Sequence, residues 1–104
     1  MELIAVYTSV GSLDEARRIA AALVERRLAA GAQVSEMESF YRWRGAVRNH
    51  KEYRVLLKTT RDRYPAVESA IRELHSYALP AIHALAFAEV FAPYGEWIEE
   101  NAGG

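Results

Sequence analysis

FYRWRGAVRNHKEYR, Phe40 to Arg54, interleaves Phe40, Tyr41, Trp43 and Tyr53 with Arg42, Arg44, Arg48, Lys51 and Arg54. Aromatic rings between cations suit a surface that stacks single-stranded bases and clamps their phosphates. The same alternation also describes the two arms of a β-hairpin, because successive strand residues point to opposite faces. From Ala32 to Thr60 β-branched and aromatic residues dominate, Pro is absent, and the one clear break is Arg44-Gly45. The pattern predicts strands over Gln33–Trp43 and Val47–Thr60 joined by a turn near Gly45. Each is about twice the usual strand length, so the hairpin tip is expected to protrude.

On the N-terminal side, Leu3 to Tyr7 reads as a buried strand. Ser12-Leu13-Asp14-Glu15 fits a capping box, with Ser12 as N-cap and Glu15 reaching back to it. Ala16, Ile19, Ala20, Leu23, Val24 and Leu28 follow helical spacing, and Gly31 stands where a helix stop is expected. On the C-terminal side, Pro65 suits the first turn of a second helix. Val67, Ala70, Ile71 and Leu74 form its inward stripe, and Glu68 with Arg72 is an i,i+4 pair. Ser76 to Pro80 reads as a turn and Ile82 to Val90 as a last strand. A short helix over Pro93–Asn101, with Trp97 and Ile98 inward, precedes a Gly-Gly tail. This order is the α+β, ferredoxin-like βαββαβ fold, with a long protruding central hairpin and a short C-terminal helix. One domain spanning residues 1–104 is expected.

The balance of 13 Lys and Arg against 14 Asp and Glu gives a formal charge of −1, without the basic excess of a dedicated nucleic-acid binder. The Arg-Gly-aromatic signature of RNA-recognition domains is also absent from the third strand. No cysteine is present, which removes disulfides, thiolate nucleophiles and thiolate metal sites. No apolar run is long enough for a membrane span, and the acidic N-terminus does not read as a secretory signal, so the cytoplasm is the expected compartment.

Both faces of the first and last strands are largely apolar. Ile4 and Val6 oppose Leu3, Ala5 and Tyr7, while Ile82, Ala84 and Ala86 oppose His83, Leu85 and Phe87. A sheet covered by helices on one face alone would expose the other, so the second face is expected to pack against sister subunits. The hairpin then serves assembly, with Phe40 and Arg42 on one side and Tyr41 and Trp43 on the other.

Ala16-Arg17-Arg18-Ile19-Ala20, Arg27-Leu28-Ala29-Ala30, Tyr41-Arg42-Trp43 with Gly45, Lys58-Thr59-Thr60, Leu74-His75 with Tyr77 and Pro80, and Tyr94 with Trp97 occur in an order that resembles the CutA divalent-cation tolerance family. The resemblance runs nearly end to end. It implies a non-enzymatic homotrimer, tied through its long hairpin and associated with tolerance of divalent metals, copper in particular. The chain departs from the family pattern at Gly31, where a cysteine often stands, and at Ala78 and Ala81, where acids are usual.

Lys58, His75, Tyr77 and Tyr41 are the expected ligand-binding residues at a cleft between subunits, and Phe40 and Trp43 the expected interface residues. His75 and His83 are the candidate ligands for Cu²⁺ or Zn²⁺, although such ions take three or four ligands and no HxH or HExxH spacing supplies them. Met37 is the one internal soft ligand. His75 reads equally as a histidine closing a helix, and Lys58 as a surface lysine. The Thr8–Ser12 loop reads as an ordinary βα turn, lacking both phosphate-binding fingerprints. No Ser/His/Asp order, Cys nucleophile or paired-acid motif points to catalysis. The alternatives are a signalling trimer resembling the nitrogen regulators, binding nucleotide or a small anion, and a partner-docking module without a small ligand.

Overall fold

The computed structural model describes residues 2–103 and runs β1 (Leu3–Val10), α1 (Leu13–Glu25), β2 (Gly31–Trp43), β3 (Ala46–Thr60), α2 (Tyr64–Leu74), β4 (Ile82–Ala86) and α3 (Ala92–Asn101), with a 3₁₀ turn at Arg61–Arg63. The strands form one antiparallel sheet in the order β2-β3-β1-β4. This is the ferredoxin-like arrangement expected from the order of elements. β1 pairs with β3 only as far as Val10 opposite Tyr53, whereas β2 and β3 stay paired out to Trp43 opposite Ala46. The rest of the hairpin therefore projects as a two-stranded ribbon, and the molecule is 44 Å along its longest axis against 26 and 21 Å across. At its tip Arg44 and Gly45 have φ of 50° and 80°, the paired positive values of a two-residue turn matched to strand twist.

One sheet face carries Ile4, Val6 and Val10 of β1 with Val55 and Leu57 of β3. Ala16, Ile19 and Leu23 of α1 and Val67, Ala70 and Ile71 of α2 close over it. Ser12 caps α1 by accepting the Glu15 N–H on its hydroxyl. The helix stops at Glu25, not near Gly31, which instead begins β2. The stop is a Schellman arrangement: Leu28 N–H donates to Leu23 O and Arg27 N–H to Val24 O. Arg27 holds the left-handed position, φ 59°, where glycine is usual. Its guanidinium donates to the carbonyls of Gly103 and Glu100 at 2.6 Å each, tying the α1 exit to the end of α3.

The opposite face is only partly open. α3 lies over one end of it, burying Leu3 with Ala30, Ile98 and Ala102 in a second small cluster. Part of the burial expected from sister subunits is thus supplied by the chain itself. Ile98 is fully buried, but Trp97 remains 44% exposed, lying over Gly31 and stacked on Tyr94, so its expected inward position is corrected. Val24 likewise lies outside the core stripe. β4 ends at Ala86 rather than Val90, and among the described residues Arg72 forms no ion pair with Glu68. Of the Gly-Gly tail, Gly103 is placed and Gly104 lies outside the described residues. Among the described residues no helix is long and apolar enough to cross a membrane.

Candidate functional site

The loop between α2 and β4 folds back against the base of the projecting ribbon, and two carboxylates hold it there. Glu15, 7% exposed, does not reach back to its own N-cap as the capping-box pattern predicts. Its Oε2 accepts the Ser76 N–H at 2.9 Å and its Oε1 accepts the Ser76 hydroxyl at 3.0 Å. Glu52, 6% exposed on β3, accepts the Tyr77 hydroxyl on Oε2 at 2.8 Å. Burial, then the Glu52 carboxylate beside it, pushes the Tyr77 phenol well above its usual range, because both disfavour a phenolate there.

His75 lies between these anchors with its side chain wholly enclosed. The Tyr77 N–H donates to its Nδ1 at 3.1 Å, so that nitrogen carries a lone pair. Nε2 then bears the proton and donates to Ser9 O at 2.8 Å. Glu15 Oε2 is 3.8 Å from Nδ1. Both ring nitrogens are engaged with backbone, which leaves no lone pair for a metal. His75 closes α2 and orients Tyr77, packing its ring 4.9 Å from the phenol ring.

Between this loop and the ribbon runs a groove of about 510 Å³. Tyr41, Trp43 and Met37 of β2, Glu52 of β3, and Tyr77 and Leu79 of the loop line it. The β2–β3 register puts Met37 opposite Glu52, so by alternation Ser39, Tyr41 and Trp43 share that face. Phe40 and Arg42 belong to the other face, and Phe40 is 67% exposed. At Gly11 a Cβ would stand 3.2 Å from the Tyr77 hydroxyl. The Thr8–Ser12 turn is therefore packed by Tyr77.

The remaining expected residues lie elsewhere. Lys58 Nζ sits 5.2 Å above the Tyr94 ring, beside the Tyr94–Trp97 stack. At ~3.3 Å per residue, Lys58 and Glu52 are roughly 20 Å apart along β3. His83 is exposed on β4, stacked on Tyr7 at 5.1 Å, with Arg54 over the same tyrosine. Among the described residues, no three His, Asp or Glu side chains gather closely enough to hold a metal ion. Together with the engaged nitrogens of His75, this means that the described residues of a single chain do not fit a resident Cu²⁺ or Zn²⁺ site.

Sequence reasoning singles out Tyr41, Tyr77 and His75, which the fold does bring to one region. It misses Glu52 and Gly11, and it assigns Glu15 to a local cap. The one available signal for Glu52 is a lone acid among the cations Arg48, Arg54 and Lys58 that alternate onto the face of β3 away from α1 and α2.

The CutA1 divalent ion tolerance protein model matches residues 4–101. The divalent-cation tolerance protein CutA of Thermus thermophilus is 42% identical over 99 residues, covering 94% of this chain and 96% of that protein. The solved structure of the Thermus thermophilus divalent cation tolerance protein superposes with a TM-score of 0.92 at 41% identity, over 99% of this chain and 100% of that one. The Archaeoglobus fulgidus structure, described as a periplasmic divalent cation tolerance protein CutA, superposes at 0.94 with 30% identity, over 97% and 99% of the two chains. With the family model covering almost the whole sequence and the relatives matching nearly end to end, the chain belongs to the CutA1 divalent ion tolerance protein family.

Proposed function

We propose that the protein is a non-enzymatic divalent-cation tolerance factor that works as a homotrimer and binds a small ligand in clefts between its subunits. The observation that carries this reading is the separation of two half-sites on one sheet face. The Tyr41, Tyr77 and Glu52 groove lies near the ribbon, and Lys58 with Tyr94 and Trp97 lies near α3. Roughly 20 Å of strand separates them, so they form one site only if one subunit's ribbon end meets the α3 end of the next. Exposed apolar side chains on the uncovered part of that face, Leu85 at 56% among them, favour such packing. In this reading Phe40 and Trp43 contribute to the subunit contact, His75 positions Tyr77, and a metal response acts through the assembly without a resident ion.

Native mass spectrometry of untagged protein tests this, run as purified, after chelation, and after addition of Cu²⁺ or Zn²⁺. A trimer retaining a small mass through chelation is the expected result. One tightly held metal per chain, or a monomer, would overturn it.

A further inference from the structure

The Glu52 carboxylate is almost wholly removed from solvent, yet among the described residues it has no cationic partner. Its one side-chain hydrogen bond comes from a neutral phenol, on Oε2. A buried charge is costly unless paired, so an acid held this way marks a place where a counter-charge arrives from outside. Arg42 adjoins the groove but alternates onto the ribbon's other face with Phe40, in register with Val47.

The walls decide which cation fits. Tyr41, Trp43 and Tyr77 present aromatic surface, and Met37 adds a polarisable thioether. Aromatic faces attract large, weakly hydrated cations through the ring quadrupole. Hard divalent ions favour several anionic oxygens and softer ones three or four N or S donors, whereas the groove's lining offers one carboxylate, Glu52, and one thioether, Met37. A volume of about 510 Å³ also suits a small molecule rather than a bare ion.

We infer that the groove between the α2–β4 loop and the hairpin binds a small organic cation, a guanidinium or alkylammonium compound, with Glu52 as its counter-ion and Tyr41, Trp43 and Tyr77 as its aromatic walls. This deepens the ligand-binding reading above and rests on it for the ligand's role, but it makes no use of Lys58.

The test is titration of the full-length protein with methylguanidinium chloride, followed by Trp fluorescence and calorimetry, with sodium acetate and ZnCl₂ as comparisons. Saturable binding of methylguanidinium, absent for acetate and not displaced by Zn²⁺, is expected. Glu52→Gln keeps the shape and an acceptor for Tyr77 and should weaken binding at least tenfold. Trp43→Leu should weaken it several-fold while leaving Glu52 in place. Equal binding to Glu52→Gln, preference for acetate, or displacement by Zn²⁺ would overturn the inference. So would methylguanidinium binding that emerges only in Lys58→Ala, or only in an Arg42→Ser, Arg44→Ser, Arg48→Ser triple variant, since a cation of a second copy would then be the natural occupant. Sedimentation of the same samples separates the two readings. A monomer that binds methylguanidinium through Glu52 upholds this inference and overturns the assembly, whereas a trimer indifferent to the cation does the reverse.

Discussion

The Tyr77 hydroxyl donates to Glu52 Oε2 at 2.8 Å across a chain separation of 25 residues, linking the α2–β4 loop to the base of the hairpin. Its position depends on the glycine facing it, since a Cβ at Gly11 would come within 3.2 Å of that hydroxyl. Gly11→Ala should therefore push the Tyr77 hydroxyl by a few tenths of an ångström, stretching its bond to Glu52 and weakening ligand binding in the groove modestly while costing under about 1 kcal/mol of stability. Paired binding titrations and urea unfolding check both halves. Unchanged binding would mean that the loop tolerates the displacement.

The phenols of Tyr77 and Tyr64 both stand above their ordinary range, each chiefly through burial and then through a neighbouring glutamate, Glu52 and Glu68 respectively. A raised folded-state pKa means that the native state holds its proton when the unfolded chain releases it. The stabilisation is thus complete below the unfolded value of about 10 and declines as pH rises beyond it. Thermal unfolding from pH 8 to 11 should show stability falling above pH 10, with a shallower fall in Tyr77→Phe. An identical slope in the variant would remove Tyr77 from the linkage.

Glu15 satisfies both the backbone N–H and the hydroxyl of Ser76 from the first turn of α1. Glu15→Ala should cost about 1–2 kcal/mol, as two part-buried hydrogen bonds to a charged acceptor are lost while exposed Ser76 can turn to solvent. Ser76→Gly, which keeps the N–H donor, should cost about half as much. Equal losses would point to backbone freedom at Ser76 as the dominant effect.

Arg27 is strained and useful at once. Its φ of 59° disfavours any side chain, while its guanidinium ties down the last carbonyls of α3. Arg27→Ala should lose the tie and keep the strain, whereas Arg27→Gly loses the tie and relieves the strain. The glycine variant should be more stable than the alanine variant by about 1 kcal/mol. Hydrogen exchange should show the α3 end opening in both.

Thr8 is 2% exposed on the core face of β1, and its Oγ1 is the one buried side-chain polar atom among the described residues without a hydrogen-bond partner. Thr8→Val is nearly isosteric and removes an unpaired hydroxyl, so a gain of about 1–2 kcal/mol is expected in urea unfolding. A loss would show that the hydroxyl is satisfied in solution.

Local chemistry makes much of the fold legible. The long alternation over residues 33–60 with its break at Arg44-Gly45 announces the hairpin, and Ser12 announces the start of α1. The end of α1 is not legible, because the left-handed position is held by Arg27 through bonds to residues near the other terminus. The cover on the second sheet face escapes for a related reason. Leu3 and Ile98 meet through tertiary packing that no spacing encodes. In the site, Tyr41, Tyr77 and His75 stand out by type and neighbourhood. The role of His75 becomes readable only with Ser9 O on one nitrogen and Tyr77 N–H on the other. Glu15 shows how one residue can fit a local rule, reaching back to its own cap, and instead satisfy a donor 61 positions away.

Assembly through the uncovered sheet face is tested most directly by sedimentation equilibrium of the untagged protein beside Leu85→Glu, which places a charge on that face. The expected result is a wild-type mass three times that of the 11.7 kDa chain, and a folded variant at the mass of one chain. A wild-type monomer at micromolar concentration, or a variant that remains trimeric, would contradict it.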